Sequence, residues 1–82
     1  MVRVDQFLRK TLLIQQRAVA KTLCDKQYVK LNGQFTKPSK HVEIGDIVEI
    51  ETPNGIKQYK ILILPYGNVK KSDRDKYYEE ID

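Results

Sequence analysis

The apolar residues of this chain change their period once, close to position 27, and that switch limits it to a fold in which helices come first and strands follow. Up to Lys26 the spacing is helical. Val4, Phe7, Leu8 and Leu12 form one stripe, and Asp5 suits the electropositive first turn of that helix. A second helical stretch runs from Gln16 to Lys26, with Val19, Ala20, Leu23 and Cys24 as its apolar stripe. Leu13-Ile14-Gln15 leaves only a short connection, which makes the two helices antiparallel or steeply crossed neighbours. Neither can hold together alone in water, so each must pack on something else.

From Tyr28 the period is two. Tyr28-Val29-Lys30-Leu31 alternates, Asn32-Gly33 is a strong turn signal, and Gln34-Phe35-Thr36 can return as a short strand. Pro38 ends regular structure, and Ile44-Gly45-Asp46 marks a further turn. Ile47 to Thr52 and Gln58 to Leu64 read as two more strands, joined at Pro53-Asn54-Gly55, where Pro sets φ and Gly supplies a positive φ. Val48 and Ile50 fall on one side of the first of these, Glu49 and Glu51 on the other, while Tyr59, Ile61 and Ile63 line one face of the second. Ser72 with Asp73 and Asp75 opens a short, mostly exposed helix over 73–80. The expected fold is α+β: two N-terminal helices packed on a small, mainly antiparallel sheet within residues 1–65, then a partly helical C-terminal tail over 66–82.

Eighty-two residues make one domain with a small core. Cys24 is the only cysteine, so no intramolecular disulfide can form, whereas a small secreted domain usually carries several. No apolar run after Met1 suits a signal peptide, and no segment could span a bilayer. A cytoplasmic protein without membrane contact is expected. Catalysis is poorly provided for as well. His41 is the only histidine and has no evident Ser or Cys partner in sequence, and Cys24 falls on an apolar stripe. One Cys and one His cannot build a tetrahedral metal site without carboxylates, and Glu43, Asp46, Glu49 and Glu51 read as a solvated strand face. The chain is therefore expected to be no enzyme, with no cofactor and no small-molecule substrate.

Charge is distributed unevenly. Residues 1–40 carry nine Lys or Arg against Asp5 and Asp25, a net of +7, while residues 41–82 carry six basic and nine acidic side chains, a net of −3. Such asymmetry inside one small domain is the footprint of a polyanion binder. Arg3 and Lys10, seven residues apart, share a flank of the first helix, and Arg17 and Lys21, four apart, share a flank of the second. With the stripes packed inward, these four can form one cationic ridge. The planar fork of Arg holds a phosphate bidentately, while Lys acts as a point charge. Lys30, the Asn32-Gly33 turn and Lys37-Pro38-Ser39-Lys40 follow, offering exposed backbone N–H groups and a hydroxyl to phosphate or sugar oxygens.

Five pieces now stand in order: Arg3-Val4-Asp5-Gln6-Phe7-Leu8, Arg17-Ala18-Val19-Ala20-Lys21, Val29-Lys30-Leu31-Asn32-Gly33, Lys37-Pro38-Ser39 and Gly45-Asp46. In order and spacing they resemble the S-four RNA-binding domain, or αL motif, across residues 3–50. The resemblance implies binding of structured RNA through the two-helix face and the strand-turn after it. It assigns RNA contacts to Arg3, Lys10, Arg17, Lys21, Asn32, Gly33, Lys37 and Ser39, with Lys30 beside them on its strand. It makes Asp5 a helix cap or a partner for a nearby basic group. Family members commonly have Gly where this chain has Gln27, so Gln27 must accept a left-handed conformation at some cost or end the helix differently.

The chain's length further resembles the small stand-alone bacterial members. For those, the resemblance implies contacts to rRNA and tRNA on large ribosomal subunits obstructed by a nascent chain still attached to tRNA. Ribosome assembly or another RNA process is the alternative, and a monomer is expected. Tyr66, Tyr77 and Tyr78 leave a second course open, since aromatic residues among charges can anchor a protein interface, fold back over the sheet or stack on bases.

Overall fold

The computed structural model describes residues 1–81. Helix α1 spans Val4–Lys10 and α2 spans Arg17–Asp25, followed by strands β1 Val29–Leu31, β2 Gln34–Phe35, β3 Ile47–Thr52 and β4 Gly55–Ile61. A 3-10 helix over Lys71–Lys76 leads into β5, Tyr78–Ile81. Asp82, the last residue of the expected tail, lies outside the described residues.

α1 opens at Arg3, which is extended and whose backbone N–H donates to Gln6 Oε1 at 3.1 Å. It is shorter than its apolar stripe suggested. Thr11, fully buried, donates its hydroxyl to the Phe7 carbonyl at 2.7 Å, and Leu12 then adopts φ +60°. That left-handed step takes Leu12 off the helix and lets the Ile14 N–H reach the Leu8 carbonyl at 3.0 Å, so Ile14 joins the core.

The buried face of α2 is centred on Ala20 and Cys24, with Leu23 at its margin. Val19, placed on the stripe by its spacing, is 44% exposed, because it sits beyond Leu23 on the far side of that face. Burial pushes the Cys24 thiol up to about 11, with the charges of Asp5 and Asp25 adding to the effect. The helix ends as a Schellman cap. The Tyr28 N–H donates to the Leu23 carbonyl at 2.9 Å and the Gln27 N–H to the Cys24 carbonyl at 3.1 Å. Gln27 itself has φ +65°, so it takes the left-handed conformation that Gly would adopt without a Cβ penalty.

The strands form one antiparallel sheet in the order β2-β1-β3-β4-β5. Asn32 and Gly33, at φ +53° and +84°, make the two-residue turn between β1 and β2, both left-handed as a type I′ hairpin requires. Pairing of Val29 with Ile50, Leu31 with Val48 and Val48 with Tyr59 puts these side chains on one face. Both helices cover that face, joining Phe7, Leu8, Ala20 and Cys24 to Val29, Val48 and Ile61 in a single core. The opposite face carries Lys30, Glu49 and Gln58 side by side and is open to solvent.

β4 runs three residues earlier than the expected 58–64. Thr52 pairs directly with Gly55, so pairing resumes at once after Pro53-Asn54. It stops near Ile61 because β3 begins at Ile47, whose partner is Lys60, and Ile63 is left exposed. The C-terminal segment is helical only over Lys71–Lys76, and Tyr78–Glu80 is strand where helix was expected. Here β5 satisfies the free edge of β4 from Gln58 to Ile61, and Tyr78 packs edge-on against Tyr59 with ring centroids 5.3 Å apart. Among the described residues, no helix is long and apolar enough to cross a membrane.

Two outcomes follow from the α2 region. Gln27→Gly removes a left-handed side-chain penalty of about 1 kcal/mol, and thermal unfolding should show a melting temperature several degrees higher. A Cys24→Ala variant isolates the thiol. The folded pKa lies above the unfolded value of 9.0, so the thiol's contribution is intact below pH 9 and is lost as pH rises toward about 11. Denaturant titrations should find wild type losing stability relative to the variant across that window, at up to about 1.4 kcal/mol per pH unit.

Candidate nucleic-acid interface

Asp5 organises the start of the basic surface. It is only 5% exposed, in the first turn of α1, and its Oδ1 accepts the Gln6 N–H at 2.8 Å. Arg17 donates its Nε–H to Asp5 Oδ2 at 3.2 Å, and Arg3 Nε stands 3.5 Å from Asp5 Oδ1. The Arg3 Nε is shielded from solvent without a hydrogen-bond partner, so charge attraction to Asp5 holds it. Both arginines thus turn their inner nitrogen to one carboxylate, and the terminal amino groups of each fork remain as further donors. Asp5 therefore acts as the partner of basic groups.

Backbone bonds bring a distant segment to this point. The Val4 N–H donates to the Lys40 carbonyl at 2.8 Å and the Asp5 N–H to the Pro38 carbonyl at 3.2 Å, while Arg3 bridges to His41. The chain around Ser39 is thereby tied to the beginning of α1. As a result, Arg3, Arg17, Lys21 and Ser39 line one groove with Asp5 on its inner side. Two further depressions adjoin it. One shares Arg17 and is bordered by Gln6, Arg9, Lys10 and the loop Gly67-Asn68-Val69. The other shares Ser39 and is bordered by Asn32, Phe35, Lys37 and Lys40. Together they form a track from the end of α1, past α2, to the Asn32-Gly33 hairpin.

Most of the residues singled out from the sequence lie on this track. Lys10 also donates to the Pro65 carbonyl at 3.5 Å. One residue stands apart, and one that borders the track has its side chain engaged elsewhere. Lys30 is on the open face of the sheet, 3.9 Å from Glu49 Oε2 and with its Nζ 4.9 Å from the Phe35 ring centroid. The Asn32 side chain is engaged within the fold. Its Nδ2 donates to Asp46 Oδ1 at 3.1 Å, and its Oδ1 accepts the Ile47 N–H at 2.9 Å, which ties the hairpin to the start of β3. Gly33 is needed for its positive φ, and a Cβ there would meet nothing within 4 Å, so the hairpin backbone is open to a ligand.

Gln6, Arg9, Lys40 and the loop Gly67-Asn68-Val69 were not picked out as site residues. Arg9 and Lys40 each adjoin a residue that was, and their charge was the available signal. The loop carried no signal, because nothing in its composition says that it folds back beside α1.

A family model described as the S4 domain matches residues 2–48. The chain is 38% identical over 77 residues to a Helicobacter pylori protein named RQC P-site tRNA stabilizing factor, covering 93% of this chain and 92% of that one. A protein of the same name from Streptococcus pneumoniae is 35% identical over 80 residues, covering 98% and 90%. Among solved structures, heat shock protein 15 of Vibrio cholerae, described as trimeric, matches with a TM-score of 0.89 at 28% identity, over 98% of this chain and 81% of that one.

Asp5→Asn separates orientation from bulk charge. Removing a carboxylate from beneath a cationic surface should tighten polyanion binding if only Coulomb attraction counted. Because Asp5 aims two arginines, the variant should instead bind a short RNA stem several-fold more weakly by fluorescence anisotropy. Its melting temperature should also fall.

Proposed function

The chain belongs to the S4 domain family of RNA-binding domains, and we propose that it grips ribosomal RNA and transfer RNA on the large ribosomal subunit through the track that runs from Lys10 to Lys37. The observation that carries this reading is the meeting of Arg3, Arg17, Lys21 and Ser39, from three separate segments, in one groove. Two oriented arginine forks, a lysine and a hydroxyl form a set suited to successive backbone phosphates. Arg3, Arg17, Lys21, Lys37 and Ser39 hold the sugar-phosphate backbone, Lys10 extends the track, and Gly33 offers open backbone. Asn32 serves chiefly by fixing the hairpin, and Lys30 acts from the neighbouring sheet face.

Relatives of nearly the same length bear the name RQC P-site tRNA stabilizing factor. From this we infer a role on large subunits that still hold a nascent chain on tRNA, in ribosome quality control, exercised in the cytoplasm. The protein acts by binding and not by catalysis. We read it as a monomer when it does so.

Charge reversal of Arg17 and Lys21 to Glu tests the grip. Sedimentation of cell extracts should show wild type moving with large subunits and the double variant left at the top of the gradient. Association that survives the reversal would refute the track. For the purified protein, five phosphates neutralised by Arg3, Lys10, Arg17, Lys21 and Lys37 predict a log–log salt slope of about −3.5 to −4.5 on an RNA stem, and the double variant should be shallower by at least about 1.5. Cross-linking followed by sequencing of the attached RNA should recover large-subunit rRNA and tRNA, and messenger RNA alone would overturn the assignment.

A further inference from the structure

We propose that Phe35 is a stacking platform for an unpaired nucleobase, set where the phosphate track reaches the hairpin. The proposal deepens the RNA reading above and rests on it. Phe35 lies on the two-residue edge strand β2 and is 56% exposed, although it has no polar atom to offer to water. The ring is held from one side, for Lys30 Nζ sits 4.9 Å from its centroid while also facing Glu49 at 3.9 Å. It borders the same depression as Lys37, Ser39 and Lys40, and a second one beside Gln27 and Thr36. An exposed aromatic ring thus has one ammonium group, that of Lys30, over it and borders a depression that Lys37 and Lys40 also line.

That surrounding chooses the occupant. An apolar protein segment packed on Phe35 would have to desolvate the lysines that border it, of which Lys30 alone faces a carboxylate among the described residues. It would bring them no charge in return, which is costly. A nucleotide brings a flat π-face for the ring and a phosphate for the lysines in one unit. Bases inside a duplex are stacked on one another, so the base received here is splayed out, from a bulge or loop beside the stem held by Arg3, Arg17 and Lys21. The target is therefore a stem next to an unpaired nucleotide rather than continuous duplex.

Two variants test this, read on two RNAs: a stem with a one-nucleotide bulge and the same stem fully paired. Phe35→Ala should weaken binding of the bulged stem by about 5- to 100-fold, the effect of losing one base–aromatic stack, and leave the paired stem within about twofold. Phe35→Trp keeps the platform and supplies a single reporter, since the chain has no tryptophan. Its emission should be quenched by the bulged stem and not by the paired one. Phe35→Ala binding both RNAs as wild type does, or tryptophan emission unchanged by the bulged stem, overturns the proposal and assigns the ring to a protein contact. Failure of the RNA reading looks different, because wild type then binds neither stem in an Arg17-dependent way, and both proposals fall.

Discussion

A carboxylate taken out of water has to be met by positive charge or by hydrogen bonds where it stands, and Asp5 is met by both. Its three partners come from the helix cap, the first turn and the second helix: Arg3, the Gln6 N–H and Arg17. One buried group therefore fixes how α1 and α2 meet at their N-terminal ends. It also decides where the arginine forks point. The same turn of α1 donates its Val4 and Asp5 N–H groups to the Lys37–Lys40 segment, so the third wall of the groove is fixed from there too. Structure and recognition share one set of bonds at this point, and a change at Asp5 cannot be confined to either.

The order of elements was readable because period and turn chemistry are local. The period switch at Gln27, the Asn32-Gly33 hairpin and the opposed faces of Val48/Ile50 and Glu49/Glu51 all follow from neighbours in sequence. Where expectation and structure part, the deciding partner is far away in sequence. The end of β4 is set by where β3 begins, and Tyr78–Glu80 becomes strand because β4 has an edge to fill. Helical spacing placed Leu12 and Val19 on apolar stripes, but one leaves the helix at a left-handed residue and the other lies beyond the core margin. The candidate site divides in the same way. Its cations were visible as charge, whereas the engagement of Asn32 with Asp46 and Ile47, and the return of Gly67-Asn68-Val69 beside Lys10, belong to the tertiary fold.

The chain's acidic half has a place in this design. Glu49 and Glu51 lie on the open face of the sheet, Lys30 pairs with Glu49, and Lys57 faces Glu80 at 3.9 Å. Exposed pairs of this kind add little to stability. Their effect is to balance some of the cations of the sheet, while residues 1–40 keep a net charge of +7. An uneven charge distribution of this kind can steer an approaching polyanion.

Steering and phosphate contacts are blind to sequence, so discrimination among RNAs must come from shape or from bases. The track supplies shape. It follows three segments whose spacing is held by Asp5, by the Val4–Lys40 bond and by the Asn32 side chain. The hairpin end adds a different chemistry, an aromatic ring under the Lys30 ammonium that borders the same depression as Lys37 and Lys40. Under the stacking proposal, a cationic groove beside an exposed ring distinguishes a stem that carries a free base from one that does not.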